Sequence, residues 1–167
     1  VELLDITGDL LKTAKRRIKK DKLGEDIEVL QGDIRRLPHL DLSFDFVLSE
    51  ADPISICGDP EKAISELSRV LKPNCHFVAG VDNTFTRALY MLSAGQPVSD
   101  VSDFLQIGIS PAVEDADFDS KSFTPNELIS LLQNHGLKTA RIVGKPIQMD
   151  DIFVKALPIE RREGISK

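Results

Sequence analysis

Short apolar runs alternate with longer stretches in which apolar residues return every three or four positions. Val1-Glu2-Leu3-Leu4-Asp5-Ile6 reads as a strand ending in an acid. Thr7-Gly8-Asp9 then supplies helix-start chemistry. Leu10, Leu11, Ala14 and Ile18 follow at helical spacing, with Lys and Arg on the other face. Lys19, Lys20 and Lys22 suit the negative end of the helix dipole, and Gly24 is the expected stop. Ile27-Glu28-Val29-Leu30 predicts a second strand, closed by the turn Gln31-Gly32-Asp33. Phe44 to Ser49 predicts a third, entered from a polar loop containing Pro38. Asp59-Pro60-Glu61 combines a cap, a proline at the first helical position and an acid in the first turn. Ile64, Leu67, Val70 and Leu71 give that helix its apolar stripe, and Pro73 ends it. His76 to Val81 predicts a fourth strand.

From Asn83 to Ser122 the pattern is weaker, with short helices expected over Arg87–Leu92 and Val101–Ile107. Thr124-Pro125-Asn126-Glu127 is a capping box, and Leu128, Ile129, Leu131 and Leu132 carry its helix to a cap at Gly136. Thr139–Val143 and Ile152–Leu157 read as two last strands. Their connection is too short for a helical crossover, so they are expected to pair as an antiparallel hairpin. The tail from Glu160 is polar and is expected to fray. The order of elements predicts an α/β fold: a Rossmann-like, doubly wound, mostly parallel sheet covered on both faces, with a C-terminal hairpin.

The length of 167 residues suits one domain, so residues 1–167 are read as a single unit with 83–122 as an insertion. With 41% hydrophobic and 29% charged residues, the composition is that of a folded globular protein rather than a disordered one. No apolar run approaches the roughly 18 residues of a membrane span, and no basic leader opens the chain. A net charge of −6 argues against a nucleic-acid partner, and the lack of Trp removes a base-stacking platform. Cys57 and Cys75 are too few for a disulfide scaffold or a Cys-based zinc site, which points to a reducing cytoplasm and no metal.

In open α/β sheets ligands bind beyond the carboxyl ends of strands, so the residues just after each strand carry the chemistry. Asp5 can accept two hydrogen bonds from a ribose diol, or it can simply cap the helix that follows. Asp33 can accept from the exocyclic amine of adenine while the Ile34 N–H donates to a ring nitrogen, or it can close an Asx-turn. Ser49 and Glu50 end the third strand and can face the same crevice.

These segments resemble one family. Leu4-Asp5-Ile6-Thr7, Gly32-Asp33-Ile34-Arg35-Arg36-Leu37-Pro38, Ser43-Phe44-Asp45-Phe46-Val47 and Glu66-Leu67-Ser68-Arg69-Val70-Leu71-Lys72-Pro73 are similar to consecutive motifs of class I S-adenosylmethionine-dependent methyltransferases. The flavour is that of the domain shared with ubiquinone and menaquinone biosynthesis enzymes. Phe123-Thr124-Pro125-Asn126-Glu127-Leu128 with His135-Gly136-Leu137 resembles the family's penultimate helix. The resemblance implies S-adenosyl-L-methionine as cofactor. It implies that Asp5 holds the ribose, Ile6 packs on adenine, Asp33 with Ile34 reads the adenine edge, and Ser49 and Glu50 line the methionine end.

Two departures stand out. The family's Gly-rich first motif would lie before Val1, and no Gly-x-Gly pair occurs among the ten glycines. In the family that strand is central, between those matching residues 1–6 and 44–49. An N-terminal segment is therefore expected in the natural protein, or else a partner chain in that slot. Asn74-Cys75 replaces the usual Gly-Gly, which Asn tolerates because it enters the left-handed region readily.

The reading is a methyltransferase that acts on a small molecule by direct displacement. His39, His76 and His135 are scattered and are expected to be structural. Asp52, Asp82 and Tyr90 are the candidates near the acceptor, and no catalytic base is assigned. No Lys or Arg lies between Arg87 and Lys121, whereas Asp100, Asp103, Glu114, Asp115, Asp117 and Asp119 do. This acidic stretch is read as a lid or as a solvated loop face. The alternatives are a non-catalytic module on the same fold, and a nucleotide-dependent dehydrogenase, which the run around Arg69 and Lys72-Pro73 does not support.

Overall fold

The computed structural model of the chain describes residues 1–110 and 119–144. It divides into two compact units, Val1–Gly80 and Val81–Lys167.

The first unit follows the strand–helix order of the sequence: β1 Glu2–Asp5, α1 Gly8–Lys20, β2 Glu28–Gln31, β3 Phe44–Ser49, α2 Pro53–Ile56, α3 Pro60–Val70 and β4 Leu71–Ala79. β1 pairs parallel with β2, setting Leu3 against Val29 and Asp5 against Gln31. β3 pairs parallel with β4, setting Phe46 against His76 and Leu48 against Val78. The core of this unit is buried Leu11, Ile54, Ala63, Ile64, Leu67, Val70 and Leu71, supplied mostly by α3 and its flanks. That is the stripe its spacing predicts.

Several boundaries differ from the sequence reading, each for a physical reason. α1 ends before Gly24, because Lys22 at φ 59° already takes the left-handed turn. α3 ends at Val70, and Leu71 starts β4 instead of finishing the helix. Lys72–Cys75 bulge out of the β3–β4 ladder, whose register jumps between Phe44 and Phe46, and Asn74 sits there at φ 61°. Arg69 on α3 holds the loop after β2 in place. Its guanidinium donates to the Leu37 and His39 carbonyls, to Asp41 and to Glu66. Glu66 in turn accepts the Leu37 N–H at 2.9 Å.

The two parallel pairs are separate ladders, and the described residues place no strand between β1 and β3. The expected cover on both faces is not seen at β3–β4. Phe46, Leu48 and Val78 share one side of this ladder and are 54%, 58% and 48% exposed.

In the second unit the two expected short helices appear as α4 Thr84–Ser93 and α5 Val98–Ile107, packed through Ala88, Met91, Val101 and Phe104. β5 Ile109–Ser110 pairs antiparallel with β6 Ser120–Lys121, a short ribbon the sequence reading did not predict. α6 Pro125–Asn134 starts at the predicted capping box. Thr124 accepts the Glu127 N–H, the Glu127 carboxylate accepts the Thr124 N–H, and Gly136 turns the chain at φ 76°. Thr139–Val143 is not a strand: it runs without regular secondary structure. Its proposed partner Ile152–Leu157 lies outside the described residues. Among the described residues no helix is long and apolar enough to cross a membrane.

Candidate functional site

The parallel register of β1 and β2 brings the first two predicted acids together. Asp5 lies opposite Gln31, and Asp33 follows Gln31 by two residues. At about 4.8 Å between strands and 3.3 Å per residue, the two acids sit at neighbouring strand tips. Gly32 lies between them in the chain, and a Cβ there would meet the Leu4 side chain at 2.9 Å. The close approach of the two strand ends uses that missing atom.

Asp33 also does the bland task open to it, whereas Asp5 does not cap α1, whose N-cap is Thr7. One Asp5 oxygen accepts the Thr7 N–H at 2.7 Å, at the entrance to α1. The other has no partner among the described residues. Asp33 Oδ1 accepts the Arg35 N–H at 2.9 Å, which is the Asx-turn, and the turn is closed by the Arg36 N–H on the Asp33 carbonyl. The Arg35 side chain adds a bidentate grip on the same carboxylate, with Nη2 to Oδ2 at 2.6 Å. Arg35 lowers the Asp33 pKa through these side-chain hydrogen bonds, so the group is a firm anion at neutral pH. Ile6, just past β1, leaves its apolar side chain 60% exposed. Ile34 is half-buried in the turn.

Ser49 at the end of β3 is only 5% exposed, and its hydroxyl has no hydrogen-bond partner among the described residues. Buried hydroxyls are usually hydrogen-bonded, so this one is open to a partner that the described residues do not supply, as are those of Thr84 and Ser122. Glu50 beside it is exposed. Ala51 at φ 64° and Asp52 at φ 58° then take two consecutive left-handed conformations. Such strain in non-glycine residues collects at ligand-binding turns. The sequence reading found Asp52 by its place after a strand but had no signal for the left-handed Ala51, a residue type that rarely enters that region. It also missed Arg35 as a partner of Asp33.

Asp82 and Tyr90 belong to the second unit. The Asp82 carboxylate accepts from the Ser120 hydroxyl, and its carbonyl accepts the Phe123 N–H, so the residue fastens β6. Tyr90 on α4 is 56% exposed, with the Arg87 guanidinium 5.6 Å from its ring centre. The structural reading of His39 fits its surroundings: its Nε2 meets Glu2 and its ring stands edge-on to Phe44.

The chain is similar to several known proteins. Residues 1–79 match the family model described as a methyltransferase domain. Demethylmenaquinone methyltransferase of Lactobacillus johnsonii is 34% identical over 71 residues, 42% of this chain and 29% of that protein. The ubiquinone/menaquinone biosynthesis C-methyltransferase UbiE of Brucella anthropi is 36% identical over 81 residues, 47% of this chain and 29% of that protein. The chain thus matches under a third of the length of these curated relatives. Among solved structures, an S-adenosylmethionine-dependent methyltransferase of Methanosarcina mazei superposes with a TM-score of 0.63 at 22% identity, covering 81% of this chain and 68% of that one. A Haloferax volcanii protein solved in complex with the Trm112 methyltransferase activator gives 0.62 at 20% identity, covering 84% and 51%. Residues 1–79 thus match a methyltransferase-domain model, and over most of its length the chain shares the fold of S-adenosylmethionine-dependent methyltransferase structures.

Proposed function

We propose that the protein methylates a small-molecule acceptor with S-adenosyl-L-methionine as the donor. The observation that carries this reading is the pair of carboxylates, Asp5 and Asp33, at the carboxyl ends of two hydrogen-bonded parallel strands. In a sheet of this kind that is where a nucleoside binds.

The residues at hand fit such a group. Asp5 would take the ribose hydroxyls on its free oxygen, Ile6 would lie against the base, and Asp33 with the Ile34 N–H would read the adenine edge. The unpartnered Ser49 hydroxyl and Glu50 would line the methionine end. The bound donor supplies a sulfonium methyl already activated for displacement. The protein's part is then alignment and exclusion of water, and a strong catalytic group is not required. Asp52, Asp82 and Tyr90 remain the candidates at the acceptor. Residues 83–122 are read as a substrate-covering insertion on a single methyltransferase domain. The relatives named for quinone biosynthesis favour an uncharged small acceptor over a polyanion, as does the net charge of −6. Cytoplasmic residence is part of the same reading, in keeping with Cys57 and Cys75 both being free thiols.

Titration calorimetry with S-adenosylhomocysteine tests the cofactor assignment. Asp5→Ala is expected to weaken binding by about 1.5–3 kcal/mol, the scale of a charged hydrogen bond lost from a ligand. Unchanged affinity removes Asp5 from the site.

A second reading, a non-catalytic module on the same fold, draws on the grip of Arg35 on Asp33. It predicts binding of S-adenosylhomocysteine with no methyl transfer to any of a panel of quinol and amine acceptors.

A further inference from the structure

Asp33 is assigned to the adenine amine by the reading above, yet the structure fills its carboxylate with Arg35. A carboxylate offers about four acceptor positions. Four contacts come from this one residue: N–H to Oδ1 at 2.9 Å, Nε to Oδ1 at 3.0 Å, Nε to Oδ2 at 3.1 Å and Nη2 to Oδ2 at 2.6 Å. An exocyclic amine that needs an oxygen of Asp33 meets a guanidinium already there.

We propose that Arg35 is a swinging counter-ion that covers Asp33 in the empty site and yields it to the six-amino group of the cofactor, so that guanidinium and adenine compete for one carboxylate. This rests on the assignment of Asp33 to adenine. The guanidinium is able to leave, because the Arg35 side chain is 40% exposed and the pair is open to water. It also has somewhere to go. Its Nη1 lies beside Gly58, where an added Cβ would stand 3.8 Å away. The Asp59 carboxylate, next in the chain, already favours the charged form of Arg35. Gly58 at φ 77° shapes the loop between α2 and α3 so that this second carboxylate stands within the field of the guanidinium. The device gives the site selectivity. A purine without a donor at its six position does not recover Asp33 from Arg35 and gains nothing when Arg35 is removed.

Calorimetry on the whole chain separates the possibilities. The probes are S-adenosylhomocysteine and its analogue with hydrogen in place of the six-amino group. Arg35→Ala is expected to bind S-adenosylhomocysteine about twofold to fivefold more tightly than wild type, the worth of a part-exposed ion pair. Its affinity for the analogue should not change. Added salt screens the Arg35–Asp33 pair, so wild-type affinity for S-adenosylhomocysteine should rise with ionic strength, while that of Arg35→Ala stays flat. Asp33→Ala should weaken S-adenosylhomocysteine and leave the analogue unmoved. Weaker binding in Asp33→Ala together with unchanged or weaker binding in Arg35→Ala overturns the competition and keeps the adenine assignment. No effect of Asp33→Ala, or no binding by the wild type, overturns the assignment and the competition together. Arg35→Gln and the wild-type salt series carry the test if Arg35→Ala melts early.

Discussion

Asp33 and Glu66 show how one side chain can hold both a structural and a chemical position. Each is a carboxylate gripped by an arginine two or three residues on, and each also receives a backbone N–H. For Glu66 the side-chain hydrogen bonds from Arg69 pull the carboxyl below its ordinary 4.5, against a smaller opposing effect of burial. A carboxyl lowered in the folded state stabilises the fold fully while both states are ionised. That stabilisation is lost as the pH falls, once the unfolded chain starts to take up the proton first. Denaturation midpoints measured from neutral pH down through 4.5 should therefore fall. Glu66→Gln should be less stable than wild type at neutral pH and lose less over the same range. A variant that follows the wild-type pH profile unchanged would show that Glu66 does not contribute. The loop Leu37–Asp41 is the segment expected to loosen, since both Glu66 and Arg69 bind its backbone.

Among the elements, caps were read well and breaks poorly. The start of α3 at Asp59-Pro60 and the capping box of α6 at Thr124–Glu127 are each written in a short local stretch of sequence, and both are present as predicted. The end of α3, the Lys72–Cys75 bulge and the β5–β6 ribbon depend on strand partners elsewhere in the chain, and each departs from the local pattern. The turn between α5 and β5 offers a direct check. Gly108 sits at φ 67°, and an added Cβ would lie 2.9 Å from the Ser122 carbonyl oxygen and 2.5 Å from Lys121 Nζ. Gly95 sits at φ 78° with nothing within 4 Å. Both pay for a left-handed side chain by about 1–2 kcal/mol, and only Gly108 adds a backbone collision. Thermal melts should show Gly108→Ala falling clearly further than Gly95→Ala. Equal shifts would mean that the ribbon moves aside without resistance.

For the molecule as a whole, charge is unevenly placed. α1 carries Lys12, Lys15, Arg16, Arg17, Lys19 and Lys20, whereas residues 88–120 hold no Lys or Arg at all. If the acidic stretch covers the acceptor, exchanging Asp115, Asp117 and Asp119 for Asn should change acceptor affinity at low salt, and the difference should vanish at high salt. An affinity that stays put at every ionic strength assigns the acids to a solvated face.

The α/β order, the helix starts and the two acids beside one strand pair were readable because their signals are local: period, cap chemistry, and position after a strand. The family model matches residues 1–79, where those local motifs lie. Three features were settled through space. The four strands of the first unit form two separate ladders, because pairing depends on which edges meet and not on each strand's own pattern. Ala51 is strained, since the surrounding backbone sets its left-handed conformation and its residue type carries no turn signal. Arg35 holds Asp33, because a long side chain chooses among nearby carboxylates only once the chain has folded.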